Sequence, residues 1–480
     1  MSIFVGRKSE LKKLSDLYAR KSVNLVVVKG RRRIGKSFLI THFAEQKKQF
    51  LSFTGLPPAE GVTAQTQIDY FAHQLTALLK LPAVTFHDWA DALNFLSHHI
   101  QEGAVVLFDE ISWMGGKDPT FVPKLKAWWD ISLAQKNHAL LIFCGSVSTW
   151  INDNILNSTA FFGRVSLTLS IEPFSIAEST FFLKKNGFKG SPSEIYKILS
   201  ILGGVPWYLQ QIAPHQMADQ NIKNLCFQKN GGLVHEFNRI FNDVFNGKGE
   251  IYKKILEALK DGMKTLAELR EAVDFPNSGT FSTLIDHLIT CGFISKHYQW
   301  SMKTEKLARQ NLYRICDPYV RFYLKTIERN KLRIEQGSYD DVSLSKIPGF
   351  DSNIGLQVEH LLLQNRKLLL NSMGIDPAEC SFDGPYLQTK TTRTQGCQID
   401  YLVQTRTKNL FVCEFKFVRK ELGLEIIEEM QEKIRRFSIP HGFALVPVLF
   451  HISGVSSAVY EKDYFYRIVD ITDFLDGYSA

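Results

Sequence analysis

One octapeptide constrains the fold of this chain more than any other segment. The apolar run at residues 25–28 precedes it and predicts a buried strand, and a helical pattern begins near Lys36. A glycine-rich loop between a strand and a helix lets backbone N–H groups surround phosphate groups at the helix N-terminus. We therefore expect a phosphate-binding loop in a parallel α/β domain. The octapeptide matches G-x4-G-K-[ST] and consists of Gly30, Arg31, Arg32, Arg33, Ile34, Gly35, Lys36 and Ser37.

The residue types in and after this loop suit Mg²⁺-ATP. Lys36 is expected to neutralise the β- and γ-phosphates, and Ser37 to ligate Mg²⁺. The acidic pair Asp109 and Glu110 follows the apolar run at residues 104–108. Because ligands of open α/β sheets bind at the carboxyl ends of the strands, we expect Asp109 to hold the Mg²⁺ through water. Glu110 is then the candidate that orients or deprotonates the attacking water.

The three consecutive arginines of the loop, Arg31, Arg32 and Arg33, allow two readings. They are either solvated charges at the tip of a loop or contacts to the nucleotide or to a partner. The sequence leaves both readings open.

The first half of the chain repeats the alternation of strand and helix. Residues 50–53 predict a second strand, and near-continuous apolar runs at 104–108 and 139–144 predict strands covered on both faces. Amphipathic segments at 65–81 and 88–100 predict helices. After Pro173 the pattern is helical as far as Val244. This order is typical of a parallel α/β sheet followed by a helical region.

The first 245 residues carry a series of motifs whose order resembles the archaeal-type ATPase family. This family is a branch of the STAND class of AAA+-related P-loop NTPases. Besides the octapeptide and the acidic pair, the motifs are Phe4-Val5-Gly6-Arg7 with Glu10-Leu11, Cys144-Gly145-Ser146, Gly163-Arg164, Glu172-Pro173-Phe174-Ser175 and Gly203-Gly204-Val205-Pro206.

The resemblance implies three further roles in the ATP site. Ser146 would be the polar sensor after the fourth core strand, Arg164 would read the γ-phosphate, and Pro206 would close the lid over the base. Each residue also has a structural reading, since Ser146 and Pro206 could be turn residues and Arg164 a surface ion-pair partner. The resemblance further implies a regulatory ATPase that can form a homo-oligomer in its ATP state.

Composition limits where the chain functions. It has 480 residues, of which 45% are hydrophobic, and this favours two to four folded domains. No window reaches the roughly 18–20 apolar residues of a membrane span, and the N-terminus lacks an apolar signal-peptide core. The seven cysteines form no CxxC pair, which favours reduced thiols over disulfides or a zinc knuckle. We expect a cytoplasmic protein without a membrane partner.

The middle of the chain predicts a winged helix-turn-helix. Helical patterns at residues 251–260, 265–272 and 278–291 precede two strands, 293–298 and 311–315, which flank a basic tip at 303–306. Residues 248–333 hold 16 Lys and Arg against 10 Asp and Glu. The expected recognition segment, residues 278–287, contains no Lys or Arg. The module is therefore expected either to contact DNA phosphates without sequence choice or to act as a structural or autoinhibitory spacer.

The C-terminal part carries Asp-x13-Glu-x-Lys across a predicted hairpin. Asp400 lies on one strand, and Glu414 and Lys416 share a face of the next. Two carboxylates can hold Mg²⁺, and a lysine can position water and stabilise phosphorane charge in phosphodiester hydrolysis. Glu359, on the preceding helix, could supply a further carboxylate.

This pattern resembles the PD-(D/E)XK nuclease fold, in particular the uncharacterised domain that often follows archaeal-type ATPase modules. The segment at residues 312–318, with Arg321-Phe322, is similar to the junction in those proteins. A RecB-like Gln-x3-Tyr motif starting at Gln431 would need tyrosine where this chain has Arg435. A nuclease-derived fold or a salt-bridged hairpin without activity remains the alternative.

Together these patterns predict an α/β multidomain protein. Residues 1–245 would form a P-loop NTPase with a parallel sheet and helical lid, 246–336 a winged helix-turn-helix with a connecting helix, and 347–480 a restriction-endonuclease-like α/β domain. The expected function is a STAND-type ATP switch coupled to a nuclease-like effector that acts on nucleic acid. The alternative is a DNA-binding or scaffolding ATPase whose C-terminal domain is inactive.

Overall fold

The structure is a computed structural model in which residues 4–146, 148–245, 249–276, 279–388, 390, 392 and 395–478 are described. The chain forms two compact units. The first comprises residues 1–173, 238–250 and 286–292, and the second comprises residues 174–237, 251–285 and 293–480. Ser278, the predicted start of the third helix of the middle module, and residue 246, a predicted domain boundary, lie outside the described residues.

The helices are distributed along the whole chain. They are α1 (Lys8–Tyr18), α2 (Lys36–Ala44), α3 (Ala64–Leu79), α4 (Trp89–His99), α5 (Ile111–Gly115), α6 (Phe121–Trp128), α7 (Ser148–Ile151), α8 (Ile176–Lys185), α9 (Pro192–Leu202), α10 (Pro206–Leu209), α11 (Ala218–Cys226), α12 (Glu236–Phe245), α13 (Gly249–Leu259), α14 (Leu266–Ala272), α15 (Thr280–Thr290), α16 (Pro318–Phe322), α17 (Glu328–Glu335), α18 (Phe350–Gln364), α19 (Arg366–Ser372), α20 (Glu425–Arg436) and α21 (Ser457–Glu461). Short π-helical segments occupy Trp129–Leu133, Asn152–Leu156 and Tyr323–Ile327, and 3₁₀ turns occupy Leu344–Lys346 and Ile471–Leu475. In the described part of the chain, every helix is too short or too polar to cross a lipid bilayer.

The strands form three sheets. They are β1 (Val23–Lys29), β2 (Gln49–Thr54), β3 (Ala104–Asp109), β4 (Ala139–Gly145), β5 (Val165–Ser170), β6 (Lys264–Thr265), β7 (Ile294–Ser301), β8 (Lys306–Ile315), β9 (Cys380–Gln388), β10 (Cys397–Thr405), β11 (Asn409–Lys416), β12 (Ala444–His451) and β13 (Arg467–Asp470).

The first sheet is entirely parallel and has the order β2-β3-β4-β1-β5. The central strands β1, β3 and β4 are buried almost throughout, as their apolar runs require of strands covered on both faces. The parallel sheet predicted from the sequence is therefore confirmed. The edge strand β5 was not predicted, because its alternating sequence Val-Ser-Leu-Thr-Leu-Ser is half exposed and lacks a continuous apolar run.

Aromatic side chains fill the core beside this sheet. The ring of Trp89 is fully buried and lies 5.4 Å from that of Phe71 and 4.9 Å from that of Phe121. The indole Nε1 of Trp128 donates to the Ser97 hydroxyl over 2.6 Å, so these two buried polar groups are paired. This core fixes α3, α4 and α6 against the sheet that carries the loop.

Three helices and a small antiparallel sheet occupy the middle of the chain. The helices α13, α14 and α15 are followed by the hairpin β7–β8, and the two-residue strand β6 pairs with β8 in the order β6-β8-β7. The hairpin extends further towards its tip than the sequence predicted. Trp300, near the tip, lies in one hydrophobic cluster with β10, β11 and α20, which explains why the strands continue that far.

The C-terminal sheet is mixed and has the order β13-β12-β11-β10-β9. The strands β9, β10 and β11 are antiparallel neighbours, whereas β11, β12 and β13 are parallel. The sequence predicted one helix at residues 354–370. The structure has two helices there, α18 and α19, which are separated by Asn365. The parallel first sheet and the mixed C-terminal sheet, each accompanied by helices, confirm the predicted α/β multidomain class.

Two separated motifs of the sequence meet in the helical part of the second unit. The backbone N–H of Phe174 donates to the carbonyl of Gly204 over 2.7 Å. A β-carbon on Gly204 would lie 1.9 Å from the Phe174 carbonyl oxygen, so only glycine fits there. This close approach gives a packing reason for the double glycine of residues 203–204.

Candidate functional site

The phosphate-binding loop leaves β1 and enters α2, as the octapeptide predicts. Gly30 has φ 152°, and a β-carbon there would lie 2.6 Å from the carbonyl oxygen of Ile171. The backbone N–H of Ile171 in turn donates to the carbonyl of Lys29 over 2.8 Å. The loop therefore starts where the backbone after β5 passes directly beside it, and a side chain at position 30 would displace one of the two segments.

The two polar residues at the start of α2 point to different partners. The ammonium of Lys36 is nearly buried and donates to the carbonyl oxygens of Gly30 and Arg31, each at 3.0 Å. The hydroxyl of Ser37 donates to Oδ2 of Asp109 over 2.6 Å. The lysine side chain thus contacts the backbone of the loop, while the serine joins the start of α2 to the end of β3.

The acidic pair adopts a sharp turn at the carboxyl end of β3. Glu110 has φ 48°, a left-handed conformation that is uncommon for a residue with a side chain, and its N–H donates to Oδ1 of Asp109 over 3.0 Å. Ser146, directly after β4, donates to the Glu110 carboxylate from both its backbone N–H and its hydroxyl. Because β3 and β4 are neighbouring parallel strands, their carboxyl ends meet at one edge of the sheet.

This donor set fits a magnesium ion. Ser37 and Asp109 present a hydroxyl and a carboxylate oxygen within 2.6 Å of each other, and Mg²⁺ prefers such hard oxygen ligands. These two residues would hold the ion, which would supply charge neutralisation of the nucleotide phosphates.

Arg7 contributes to the loop in a way that sequence reasoning missed. It is only 7% exposed, has φ 61°, and donates from Nη2 to the carbonyl of Ile34 over 3.1 Å. Its guanidinium also lies 3.7 Å from the Glu10 carboxylate. The signal was present, since Arg7 and Glu10 belong to the N-terminal motif, but a motif alone does not identify the carbonyl that an arginine will contact.

Arg164 lies directly before β5 and forms a bidentate ion pair with Asp130. Its Nε and Nη2 donate to the two carboxylate oxygens over 2.8 and 2.9 Å. Hydrogen bonds from Arg164 and from Lys126 lower the pKa of Asp130 to about 2. The structure thus gives Arg164 an ion-pair partner, and its contact with the γ-phosphate stays a prediction.

The remaining residues predicted for the ATP site lie in two places. The side chains of Arg31, Arg32 and Arg33 are each half-buried in the loop. Pro206 is the first residue of α10 and belongs to the second unit. Its role at the base stays a prediction.

The C-terminal hairpin brings the predicted acids side by side. Tyr401 pairs with Cys413, so Asp400 and Glu414 are the next residues along the two antiparallel strands. The backbone N–H of Phe415 donates to Oδ2 of Asp400 over 3.2 Å. Both acidic side chains are largely buried, with exposures of 14% and 10%. Their pairing follows from hairpin register, as the spacing in the sequence predicted.

Two lysines neutralise these acids, and one of them was missed. Lys416 lies 3.1 Å from Oε1 of Glu414 and 2.6 Å from Oε2 of Glu429. Lys433, on α20, contacts Oε2 of Glu414 and lies 3.3 Å from Oδ1 of Asp400. The sequence indicated the position of Lys433, because this residue follows the buried Met430 by three positions and therefore lies on the inner face of the helix. Gln431, with which the RecB-like motif would start, is exposed.

Glu359 lies on α18 in a partly buried, highly charged environment. Burial and the charge of Asp400 raise its pKa to about 7, and the charges of Arg314 and Arg321 oppose this shift. Both arginines are nearly buried, and burial lowers the pKa of each to about 10. They come from the junction segment noted in the sequence, which the fold thus places within electrostatic range of Glu359.

The metal-binding capacity of this site rests on two acids. Within the described ranges, no group of three or more His, Cys, Asp or Glu side chains is arranged to hold a metal ion. Asp400 and Glu414 nevertheless converge on one cation, the ammonium of Lys433, and carboxylate oxygens are suitable ligands for Mg²⁺. These two residues would hold the ion, whereas a ligand role for Glu359 stays a prediction.

Several known proteins are similar to parts of this chain. Residues 4–212 match a family model described as an ATPase domain predominantly from Archaea. An uncharacterized protein of Methanocaldococcus jannaschii is 25% identical over 340 residues, which cover 70% of this chain and 72% of that protein. An uncharacterized ATP-binding protein of the same organism is 46% identical over 46 residues, which cover 10% of this chain and 78% of that one. The Walker-type ATPase of Pyrococcus abyssi has a similar structure, with a TM-score of 0.45 and 19% identity over 67% of this chain and 96% of that chain.

Proposed function

Because residues 4–212 match the ATPase domain found predominantly in Archaea, we propose that this chain is a STAND-type, ATP-driven switch that controls a nuclease-like C-terminal domain. The observation that carries the ATPase part is the 2.6 Å hydrogen bond between Ser37 and Asp109. It joins the phosphate-binding loop to the acidic strand end, and these are the two elements between which Mg²⁺-ATP must lie.

In this proposal the loop and Asp109 bind Mg²⁺-ATP, and Glu110 acts as the general base. Lys36 leaves its loop carbonyls to neutralise the β- and γ-phosphates, and Ser37 and Asp109 provide the oxygens for Mg²⁺. Glu110 accepts the proton of the attacking water, and Ser146 orients its carboxylate. Such a base contributes roughly 10²–10⁴-fold to the rate.

The effector part of the proposal rests on the C-terminal hairpin. Asp400 and Glu414 lie side by side, and the Lys416 ammonium lies 3.1 Å from Oε1 of Glu414. Two carboxylates that can hold a metal ion and a lysine beside them suit metal-dependent phosphodiester cleavage. The three helices and hairpin in the middle of the chain support a winged helix, and the excess of basic residues there supports contact with nucleic-acid phosphates.

One experiment tests both parts. Purified full-length protein is incubated with supercoiled plasmid and Mg²⁺ or Mn²⁺, without nucleotide, with ADP, and with ATP, and phosphate release is measured in parallel. We expect ATP hydrolysis and metal-dependent nicking whose rate depends on the nucleotide. The Asp400→Ala variant is the control for contaminating nuclease, since it should hydrolyse ATP but fail to nick. Absence of ATP hydrolysis would contradict the first part, and absence of nicking by the parent protein in every nucleotide state would contradict the second.

A second candidate function is a DNA-binding or scaffolding ATPase with an inactive C-terminal domain. The observation that favours it is the ammonium of Lys433, which contacts both acids where a metal ion would be required. ATP hydrolysis without nicking in any nucleotide state, combined with retention of the plasmid in a gel-shift assay, would support this alternative.

A further inference from the structure

Lys433 contacts one oxygen of each acid at the C-terminal site. Its Nζ lies 3.3 Å from Oδ1 of Asp400 and forms a hydrogen bond with Oε2 of Glu414. The other two oxygens have separate donors: Oδ2 of Asp400 accepts from the Phe415 N–H, and Oε1 of Glu414 accepts from Lys416. The oxygens that face Lys433 are therefore the pair that the two acids can share with a single cation.

A divalent cation held by both acids would compete with Lys433. The ion needs one oxygen from each carboxylate. Apart from the two oxygens that accept from Phe415 and Lys416, those available are the two that contact the Lys433 ammonium. A cation bound by these oxygens is repelled strongly by the ammonium of Lys433 in a partly buried site. Binding of the ion therefore favours displacement of the Lys433 side chain.

The position of Lys433 suits a residue that can be displaced. It lies on α20, which packs on the sheet through Ile426, Ile427 and Met430, whereas the acids lie on β10 and β11. Lysine is a point charge on a flexible stem, so its ammonium can move while the helix stays in place. Lys416 differs, since the contacts of its ammonium are with Glu414 and Glu429 rather than with Asp400.

The two acids also need a cation when no metal is bound. With exposures of 14% and 10%, both are too buried to be stabilised by water alone, and a buried carboxylate without a counter-charge is costly. The ammonium of Lys433 supplies this counter-charge to both acids in the metal-free protein.

We propose that Lys433 is a positioning residue that occupies the cation position between Asp400 and Glu414 and yields their oxygens to a divalent metal ion. This inference rests on the proposed function only in assigning a metal ion to the C-terminal site; it does not require cleavage. It explains how the same two acids can serve both a metal-free and a metal-bound state of the protein.

The test is Mn²⁺ binding to the nucleotide-free, full-length protein by calorimetry. Lys433→Met keeps the length of the side chain and removes its charge, so we expect binding about tenfold tighter than in the parent. Lys433→Arg should restore weak binding. The matched control is Arg435→Met on the same helix, whose exposed side chain pairs with Glu432, and it should bind Mn²⁺ like the parent. Adding Asp400→Ala to Lys433→Met should remove the gain, which separates this site from the ATP site.

The possible results separate this inference from the proposed function. Equal or weaker Mn²⁺ binding by Lys433→Met would overturn the role of Lys433, even if the parent nicks plasmid. Tighter binding without nicking would support the role of Lys433 and count against the nuclease. If Lys433→Met does not fold, Lys433→Gln provides the same loss of charge, and the rise of its thermal midpoint on addition of Mn²⁺ should exceed that of the parent.

Discussion

The hydroxyl of Ser146 lies 2.9 and 2.8 Å from the two carboxylate oxygens of Glu110, and its backbone N–H donates to the same group over 3.0 Å. The two residues follow neighbouring strands, β4 and β3, and are 36 positions apart. This contact fixes the orientation of the carboxylate that we propose as the base. A movement of the backbone at the end of β4 would therefore change the orientation of the Glu110 carboxylate and, with it, the rate of hydrolysis.

Lys36→Ala should abolish ATP binding. The mutation removes the ammonium of Lys36, the first residue of α2. This positive charge is expected to hold the β- and γ-phosphates. Calorimetry with ATP and Mg²⁺ provides the measurement, and the exposed Lys48→Ala is the control for loss of a lysine in the same unit. Unchanged ATP affinity of the Lys36 variant would refute the assignment of the loop.

Glu110→Gln should preserve Mg²⁺-ATP binding and slow hydrolysis by about 10²-fold or more. Ser37 and Asp109 are unaltered in this variant, so binding should be retained, whereas the general base is removed. Ser146→Ala should lower kcat by a smaller factor with little change in KM, because Glu110 keeps its carboxylate but is no longer oriented by the serine hydroxyl. Normal turnover in Glu110→Gln would show that another group is the base. A faster Ser146 variant would show that Ser146 restrains Glu110.

Any affinity for DNA should depend steeply on salt and little on sequence. Lys303 and Lys306 are exposed at the tip of the β7–β8 hairpin, and the described part of α15 holds no Lys or Arg. Replacing both lysines by alanine should weaken binding to all sequences alike and lower the salt slope by about one unit for each phosphate that the protein no longer neutralises. Fluorescence anisotropy at several salt concentrations measures this, with the exposed pair Lys12 and Lys13 of α1 as the control. A salt-tolerant preference for one sequence would contradict the prediction.

Asp400→Ala and Glu414→Ala should each remove metal-dependent cleavage and leave ATP hydrolysis intact. Lys416→Ala should keep metal binding but reduce the cleavage rate severely, because it removes positive charge aimed at the transition state rather than a ligand. Glu359→Ala should have a milder effect. Plasmid nicking and phosphate release from the same samples provide the measurements, and the effects should be non-additive in double variants. Cleavage that survives Asp400→Ala would place the active site elsewhere.

Trp300→Ala should destabilise the second unit by about 3–5 kcal/mol. The indole is 3% exposed, packs on Phe382 at 5.5 Å between ring centroids, and donates from Nε1 to Oε1 of Gln404 over 2.8 Å. The thermal midpoint of unfolding should therefore fall. Tyr298→Ala, on the same strand but 51% exposed, is the control and should have a much smaller effect. Equal midpoints for the two variants would argue against a close-packed contact between the hairpin and the C-terminal sheet.

Local sequence determined those parts of the protein that depend on a single motif or on the register of a single hairpin. The strand–loop–helix order around Lys36 follows from a buried apolar run, a glycine-rich turn and a helical pattern. The placement of Asp400 beside Glu414 follows from the alternation and register of a hairpin, because the short connection between the two strands fixes which positions are opposite each other.

Only the tertiary structure determined the partners between distant elements. Ser146 reaches Glu110, Arg164 pairs with Asp130, and Lys433 lies between two acids on other elements, and periodicity alone indicated none of these contacts. The physical reason is that periodicity shows which face of a helix or strand is buried, but not which side chain of another element meets that face. The strand β5 illustrates the same limit, because a half-exposed edge strand acquires its identity from pairing with β1 rather than from its own composition.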